Sequence, residues 1–204
     1  MPIITKLEVQ KHDQSRVNLF VDEKFFCGIT LDDIVRLKIH KNDEVSELAL
    51  TEIKSVAEKQ DFYNKALNYV LTSPKPEKKV RDYLFKKKVS REVIDEIIEK
   101  IKNLGYINDE EYAKSYIDAK REKLGRGQIR QKLRFNGIAG EIVDRNVAEI
   151  ESQTELAEQV AEKYVRNKPR DFKLRNKLFA HLLAKGFDFD LAGETTNKIL
   201  KEEI

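Results

Sequence analysis

Ala66-Leu67-Asn68-Tyr69-Val70 returns as Ala113-Lys114-Ser115-Tyr116-Ile117 and again as Ala161-Glu162-Lys163-Tyr164-Val165. The separations are 47 and 48 residues, and with seven tyrosines in the chain, chance placement predicts fewer than one Ala-x-x-Tyr. Val80, Ile129 and Leu178 follow at steps of 49, as do Leu84, Leu133 and Leu182. The same step joins Val89, Ile138 and Phe187, then Val93, Ile142 and Leu191, then Ile101, Ile150 and Ile199. A period of this length marks tandem supersecondary units, each too small to bury its apolar face alone.

Each unit holds three helical segments. They are predicted at about 61–71, 77–87 and 90–104, at 109–124, 127–136 and 139–150, and at 155–167, 171–185 and 188–203. Apolar residues four apart, such as Val80 with Leu84 and Val93 with Ile97, set one face of each helix. The breaks have chemical causes. Pro74 and Pro76 stop one helix and start the next, Pro169 does the same in the third unit, and Gly125 and Gly127 interrupt the second. Gly137 and Gly186, with Lys88 at the matching place, end the middle helices, and Gly105 closes the first unit. Asn108 with Glu111 three residues on caps the start of the second unit.

The first 50 residues read differently. Ile3, Leu7 and Val9, then Val17, Leu19 and Val21, then Phe25, Cys27 and Ile29 alternate with polar neighbours, separated by turns at Lys11–Ser15 and Asp22–Lys24. Two or three antiparallel strands follow from this, a sheet that needs helical support. Thr30-Leu31-Asp32-Asp33 has the form of a capping box opening a short helix, Asp43–Val45 is a further short strand, and from about Ser46 the pattern is helical. The expected fold is therefore mainly α: three tandem three-helix repeats in an elongated array, preceded by a small antiparallel β-sheet or hairpin with a short helix. The expected divisions are 1–50 for the β-rich region and 51–108, 109–153 and 154–204 for the repeats.

Composition narrows the function. With 40% hydrophobic and 37% charged residues, the chain can form a core, and thin packing suits it better than one large globule. No apolar run approaches the ~20 residues of a membrane span, and Met1–Lys6 lacks the basic and apolar regions of an export signal. A lone cysteine, Cys27, neither forms an internal disulfide nor builds a thiolate metal site, which points to the reducing cytoplasm. In a strand it reads as a small apolar residue. His12, His40 and His181 are widely spaced, so no catalytic or metal constellation is expected and no cofactor is implied. Gly125-Arg126-Gly127 lacks the strand and third glycine of a phosphate loop, and Asp109-Glu110-Glu111 is what a helix N-terminus attracts. Tyr69, Tyr116 and Tyr164 adjoin alanines of the apolar face and are expected to pack between helices.

The formal net charge of +3 conceals a pattern. Residues 75–91 hold eight basic and two acidic groups, 114–134 eight and two, and 163–185 eight and one. The third helices are acidic: four against two over 92–104, four against one over 139–151, and five against two over 188–204. Any single charge here is accounted for as a solvated helix face. Recurrence in register in all three units instead suggests a ribbon of positive potential for an anionic partner, nucleic acid or acidic protein. Its members would be Lys78, Lys79, Arg81, Lys86, Lys87 and Lys88 in the first unit. Lys120, Arg121, Lys123, Arg126, Arg130, Lys132 and Arg134 would continue it in the second, and Arg170, Lys173, Arg175 and Lys177 in the third. Arg126, Arg130 and Arg134 recur every four residues, and no base-reading motif accompanies them.

Val80-Arg81-Asp82-Tyr83-Leu84, the run Leu104-Gly105-Tyr106-Ile107-Asn108-Asp109-Glu110-Glu111-Tyr112-Ala113 and the stretch from Gly127 through Leu133 to Gly137-Ile138 together resemble the RecX family of recombination regulators. The likeness is strong in the first two units, and in the third it lies in spacing and apolar pattern. Where the family commonly carries an arginine and a serine ahead of the second helix, this chain has Thr72-Ser73-Pro74-Lys75-Pro76, which keeps the break without the arginine. The resemblance implies a non-enzymatic negative regulator that binds the filament of RecA on single-stranded DNA along its groove. It further implies suppression of RecA's ATPase, strand exchange and coprotease activities, by a cytoplasmic monomer. Single-stranded DNA would be met weakly or through RecA, and duplex DNA is a further candidate. The competing reading is a general DNA-binding protein that coats single or double strands; a plain helical scaffold is a third.

Overall fold

The computed structural model describes residues 1–169 and 172–201, with the side chain of Phe172 outside the description. Three antiparallel strands, β1 (Ile4–Val9), β2 (Arg16–Val21) and β3 (Lys24–Thr30), form a meander in the order β1-β2-β3. Among the described residues ten helices follow: α1 (Leu31–Arg36), α2 (Glu47–Leu71), α3 (Glu77–Lys86), α4 (Arg91–Asn103), α5 (Asp109–Lys120), α6 (Arg126–Phe135), α7 (Gly140–Ala148), α8 (Thr154–Val165), α9 (Phe172–Ala184) and α10 (Phe189–Lys201). The expected mainly α architecture of three-helix repeats behind a small sheet is what the chain adopts. Contacts divide it into two compact units, Met1–Thr72 with Tyr83–Lys100, and Ser73–Asp82 with the chain from Ile101 on.

In the first unit the alternation of β2 puts Val17, Leu19 and Val21 on one buried face, joined by Ile4 and Ile29. That face packs with Ile39 and with Leu50, Ile53 and Ala57 of α2, so the sheet finds the helical support it needs. Burial of each such side chain contributes about 1.5–3 kcal/mol. The β2–β3 hairpin closes on two residues, Asp22 and Glu23, at φ 48° and 65°, the left-handed pair a type I′ turn demands. Thr30 caps α1 as read: its Oγ1 accepts from Asp33 N (3.1 Å) and donates to Asp33 Oδ2 (2.6 Å). The expected strand at 43–45 shrinks to a single bridge between Ile3 and Glu44.

One boundary differs from expectation. α2 starts at Glu47, capped by Ser46, and runs unbroken for 25 residues. Its first turns (Leu50, Ile53, Ala57) serve the sheet, so the division placed at 50/51 falls inside a helix.

In the second unit two three-helix modules have their own cores. Ala113, Ile117, Ile129, Leu133, Ile138, Val143, Val147 and Ile150 form one, and Ala157, Ala161, Val165, Leu174, Leu178, Leu182, Phe187, Ala192 and Ile199 the other. These include the alanines and aliphatic residues of the 49-residue register. Gly137 and Gly186 end their helices at φ 90° and 87°, and Lys88 takes the same conformation at 62° despite its side chain.

The glycines at the start of α6 do more than interrupt a helix. Gly125 N donates to Lys185 O (2.9 Å) and Gly127 N to Gly186 O (2.8 Å), while Gln128 Nε2 donates to Ala184 O (3.1 Å). The unpaired amides that open one module's second helix thus meet the spare carbonyls that close the next module's second helix. A Cβ on Gly125 would lie 2.3 Å from Gly186 C, so the two backbones meet with no room for a side chain. An equivalent joint precedes it by one repeat: Asp109 Oδ1 accepts from Glu77 N at the start of α3 (2.9 Å), and Gly137 abuts Lys78.

Gln153 secures the glycine joint from behind. It is buried, its Oε1 accepts from Arg126 N (2.8 Å), and its Nε2 donates to the carbonyls of Arg121 and Leu124 (both 3.0 Å).

Candidate interaction surface

The residues of the expected ribbon divide into those held by partners and those with free ammonium groups. In the first unit Lys86, Lys87 and Lys88 are exposed at the end of α3, with Lys87 Nζ 5.0 Å above the Tyr83 ring. In the second compact unit, to which the start of α3 belongs, Lys78 and Lys79 both approach the exposed Phe135 ring at 5.8 Å, and Lys78 also reaches Phe135 O (3.3 Å). Arg81 Nε pairs with Glu77 (2.7 Å), whose other oxygen takes Lys102 (2.7 Å). Burial acts to raise the Glu77 pKa, but its hydrogen bonds and ion pairs with Lys102 and Arg81 outweigh that and hold it below the ordinary range.

The arginine series of α6 splits. Arg130 Nε (3.1 Å) and Arg134 Nη2 (2.9 Å) share the carboxylate of Asp144 on α7. Arg126 departs from the expected exposed stripe. It is half-buried and its guanidinium donates to Ile150 O, so it braces the module instead of presenting charge. The i, i+4 spacing placed all three on one flank of α6 but could not show that the end of α7 closes over the first. Arg121 pairs with Asp118 (3.7 Å), and Arg175 donates to Asn197 (2.6 Å). Among the described residues Lys120, Lys123, Lys132, Lys173 and Lys177 carry no ion pair. Arg170 lies outside the described residues.

The contrast between basic second helices and acidic third helices is therefore partly neutralised inside the modules. Asp144 on α7 takes two arginines of α6, while Lys198 on α10 with Glu158 on α8 (2.8 Å) and Arg145 of α7 with Glu110 on α5 tie third helices to first helices. Opposite charges lie apart along the chain, and three-helix packing sets their helix rims side by side. What remains for a partner in the second and third repeats, among the described residues of the ribbon, is Lys120, Lys123, Lys132, Lys173 and Lys177, lysines without ion pairs and all exposed but the half-buried Lys120.

Two of the three tyrosines of the Ala-x-x-Tyr repeat, Tyr69 and Tyr164, stack between helices, as expected. Tyr69 stacks on Tyr83 of α3 (centroids 4.4 Å, 9°), and Tyr164 on His181 of α9 (4.3 Å, 25°), Tyr83 and His181 being two steps of 49 apart. Tyr116 stacks with Tyr112 of its own helix at 6.3 Å. Cys27 is half-buried and burial pushes its thiol up to about 11, so it is un-ionised at neutral pH. No helix among the described residues is long and apolar enough to cross a membrane.

Known proteins match this arrangement along the whole chain. The RecX N-terminal domain matches residues 2–46, and the first, second and third three-helix domains of RecX match 63–100, 108–145 and 151–194 in that order. A regulatory protein RecX of Clostridium perfringens (strain 13 / Type A) is 33% identical, over 98% of this chain and 97% of its own length. The chain belongs to the RecX family. A second RecX relative, from Bacillus licheniformis, is 32% identical over 94% of this chain and 75% of its own. Among solved structures, a crystal structure of regulatory protein RecX superposes over the full length of both chains with a TM-score of 0.78 at 26% identity. RecX from Lactobacillus salivarius covers 71% of this chain and 97% of its own with a TM-score of 0.63 at 30% identity. The RecX relatives are named as regulatory proteins and not for a catalysed reaction.

Proposed function

We propose that this RecX chain is a negative regulator of RecA that binds the RecA–single-stranded DNA filament in its groove and lowers its ATPase, strand-exchange and coprotease activities. The observation carrying this reading is the ordered match of four RecX domains from residue 2 to residue 194. The unpaired lysines of α6 and α9 support it, since they can meet the phosphates or acidic side chains of a filament without breaking internal pairs. Contacts spread over several modules of one chain add through effective concentration, so each need only be weak.

The test is RecA's ATPase on filaments preformed on single-stranded DNA, titrated with this protein. Inhibition at concentrations stoichiometric with RecA or below is expected. Reversing charge at Lys132, Lys173 and Lys177 together should raise the half-inhibiting concentration about tenfold. No inhibition by the intact chain would reject the reading, and unchanged inhibition by the triple variant would reject the role of these lysines. A protein that merely coats DNA would bind bare single strands as tightly as filaments, with a steep dependence on salt.

A further inference from the structure

A recess of about 830 Å³ in the second unit lies where α8 and α9 meet the turn after α5, and among the described ribbon residues Lys123 alone lines it. Among the described residues five cations line it, Lys123, Lys163, Arg166, Lys168 and Lys185, against one carboxylate, Glu122. None of the five forms an ion pair with a described residue, in contrast to the arginines of α6. Its floor is apolar, from Leu156 and Val160, and its wall is the stacked pair Tyr164–His181. Unpaired like charges converging on a concave surface repel one another, and a bound polyanion would relieve that repulsion. Burial, then Lys185 and Lys168, hold the His181 imidazole below its usual pKa, so at neutral pH it adds an aromatic ring and no charge.

The rings set the kind of anion. Lys168 Nζ sits 2.9 Å from the Tyr164 ring centre, and the His181 ring lies near-parallel at 4.3 Å. Two groups that close cannot share a face, so Lys168 covers one side of Tyr164 and His181 the other. Lys168 is exposed on the turn that follows α8. A planar ring displacing it would stack on Tyr164 and leave the ammonium free beside that ring's substituents. Inorganic anions and acidic peptides have no use for such a face, whereas a purine or pyrimidine carrying phosphate uses both halves of the recess.

We propose that this recess is a nucleotide-binding site, with a base stacked on Tyr164 and its phosphates held among Lys163, Lys168 and Lys185. The nucleotide is either a unit of a single strand or a free nucleoside triphosphate. The site stands apart from the RecA reading and is tested without RecA.

The intact chain is titrated into a fluorescein-labelled oligothymidylate, and separately a fluorescent ATP analogue, at low salt, with anisotropy as readout. Saturable binding of at least one probe is expected. Lys163→Glu with Lys185→Glu should weaken it at least tenfold. For the oligonucleotide the same pair should flatten the salt dependence by about 1.4 in log–log slope, because two phosphates are no longer neutralised. Lys11→Glu with Lys41→Glu, the same charge change in the first unit, should stay within twofold. Tyr164→Leu should weaken binding about tenfold and Tyr164→Phe should retain it, with circular dichroism showing each variant folded. Retention of only the oligonucleotide assigns the site to a strand, and equal binding of the ATP analogue assigns it to free nucleotide. Three results would overturn the proposal: no saturable binding of either probe, equal weakening in the two charge variants, or tripolyphosphate or poly-glutamate competing as well as the unlabelled nucleotide. Failure here leaves RecA inhibition untouched, and loss of RecA inhibition leaves this binding untouched.

Discussion

Replacing Gly186 with alanine tests the joint between the last two modules. Two costs add. The residue sits at φ +87°, where a Cβ costs about 1–2 kcal/mol. That Cβ would also stand 2.2 Å from Gln128 N and 2.9 Å from Gln128 Cα, both backbone atoms that cannot swing aside. Relief requires the two chains to separate by more than an ångström. The bonds Gly125 N to Lys185 O, Gly127 N to Gly186 O and Gln128 Nε2 to Ala184 O, at 2.8–3.1 Å, then stretch past useful length. At about 0.5–1.5 kcal/mol each they bring the expected total to about 3–6 kcal/mol. Two other glycines calibrate this. Gly105 has φ +78° with nothing within 4 Å of its Cβ, so Gly105→Ala should cost the backbone strain alone, about 1–2 kcal/mol. Gly137 has φ +90° and the three atoms nearest its Cβ would all belong to the side-chain stem of Lys78, so Gly137→Ala should fall between, about 2–3 kcal/mol. The chain has no tryptophan, so urea unfolding is followed by far-UV circular dichroism. Equal midpoint shifts for Gly186→Ala and Gly105→Ala would refute the argument that main-chain contact locks these modules.

Gln153→Leu keeps the bulk and removes three hydrogen bonds, leaving Arg126 N and two carbonyls unmatched in a buried place; a loss of about 2–4 kcal/mol is expected in the same unfolding assay. Glu23→Gly should stabilise the hairpin by about 1 kcal/mol, because residue 23 holds φ 65° on an exposed turn, and a rise in melting temperature checks it. Glu77, whose pKa is depressed, contributes stability that is complete above its ordinary value of about 4.5 and is lost as pH falls through the lower folded value. Glu77→Gln should therefore cost about 1 kcal/mol at pH 7, and its melting curve should merge with the parent's in acid below that window.

The repeat was legible because its signals are local. Ala-x-x-Tyr, the apolar positions at steps of 49 and the glycines at 105, 137 and 186 each obey helix chemistry within a few residues, and the Thr30 and Asn108 caps needed no tertiary partner. Features made by distant parts of the chain were not legible. Gly125 and Gly127 read as a break, since Lys185 and Gly186, which they contact, lie some 60 residues on. Arg126 read as surface charge because Ile150 O, its acceptor, belongs to the far end of its module. The basic count over 163–185 was visible, but only folding gathers Lys163, Lys168 and Lys185 around Tyr164 and His181 and away from Lys173 and Lys177. The start of α2 was read correctly at Ser46, yet its passage from sheet support into the first module was hidden, because a continuous helix carries no mark where its duties change.

The coupling at Gly125–Gly127 and Lys185–Gly186 is built largely from amide and carbonyl groups, which almost every amino acid supplies. A hinge pin of that material is indifferent to what is hung from it: lysines on the neighbouring turns can be exchanged, added or reversed without loosening the fit, provided nothing larger than hydrogen is placed at the crossing. Charge-altered variants of this region can thus be compared for what they bind, with the frame that displays those charges held constant.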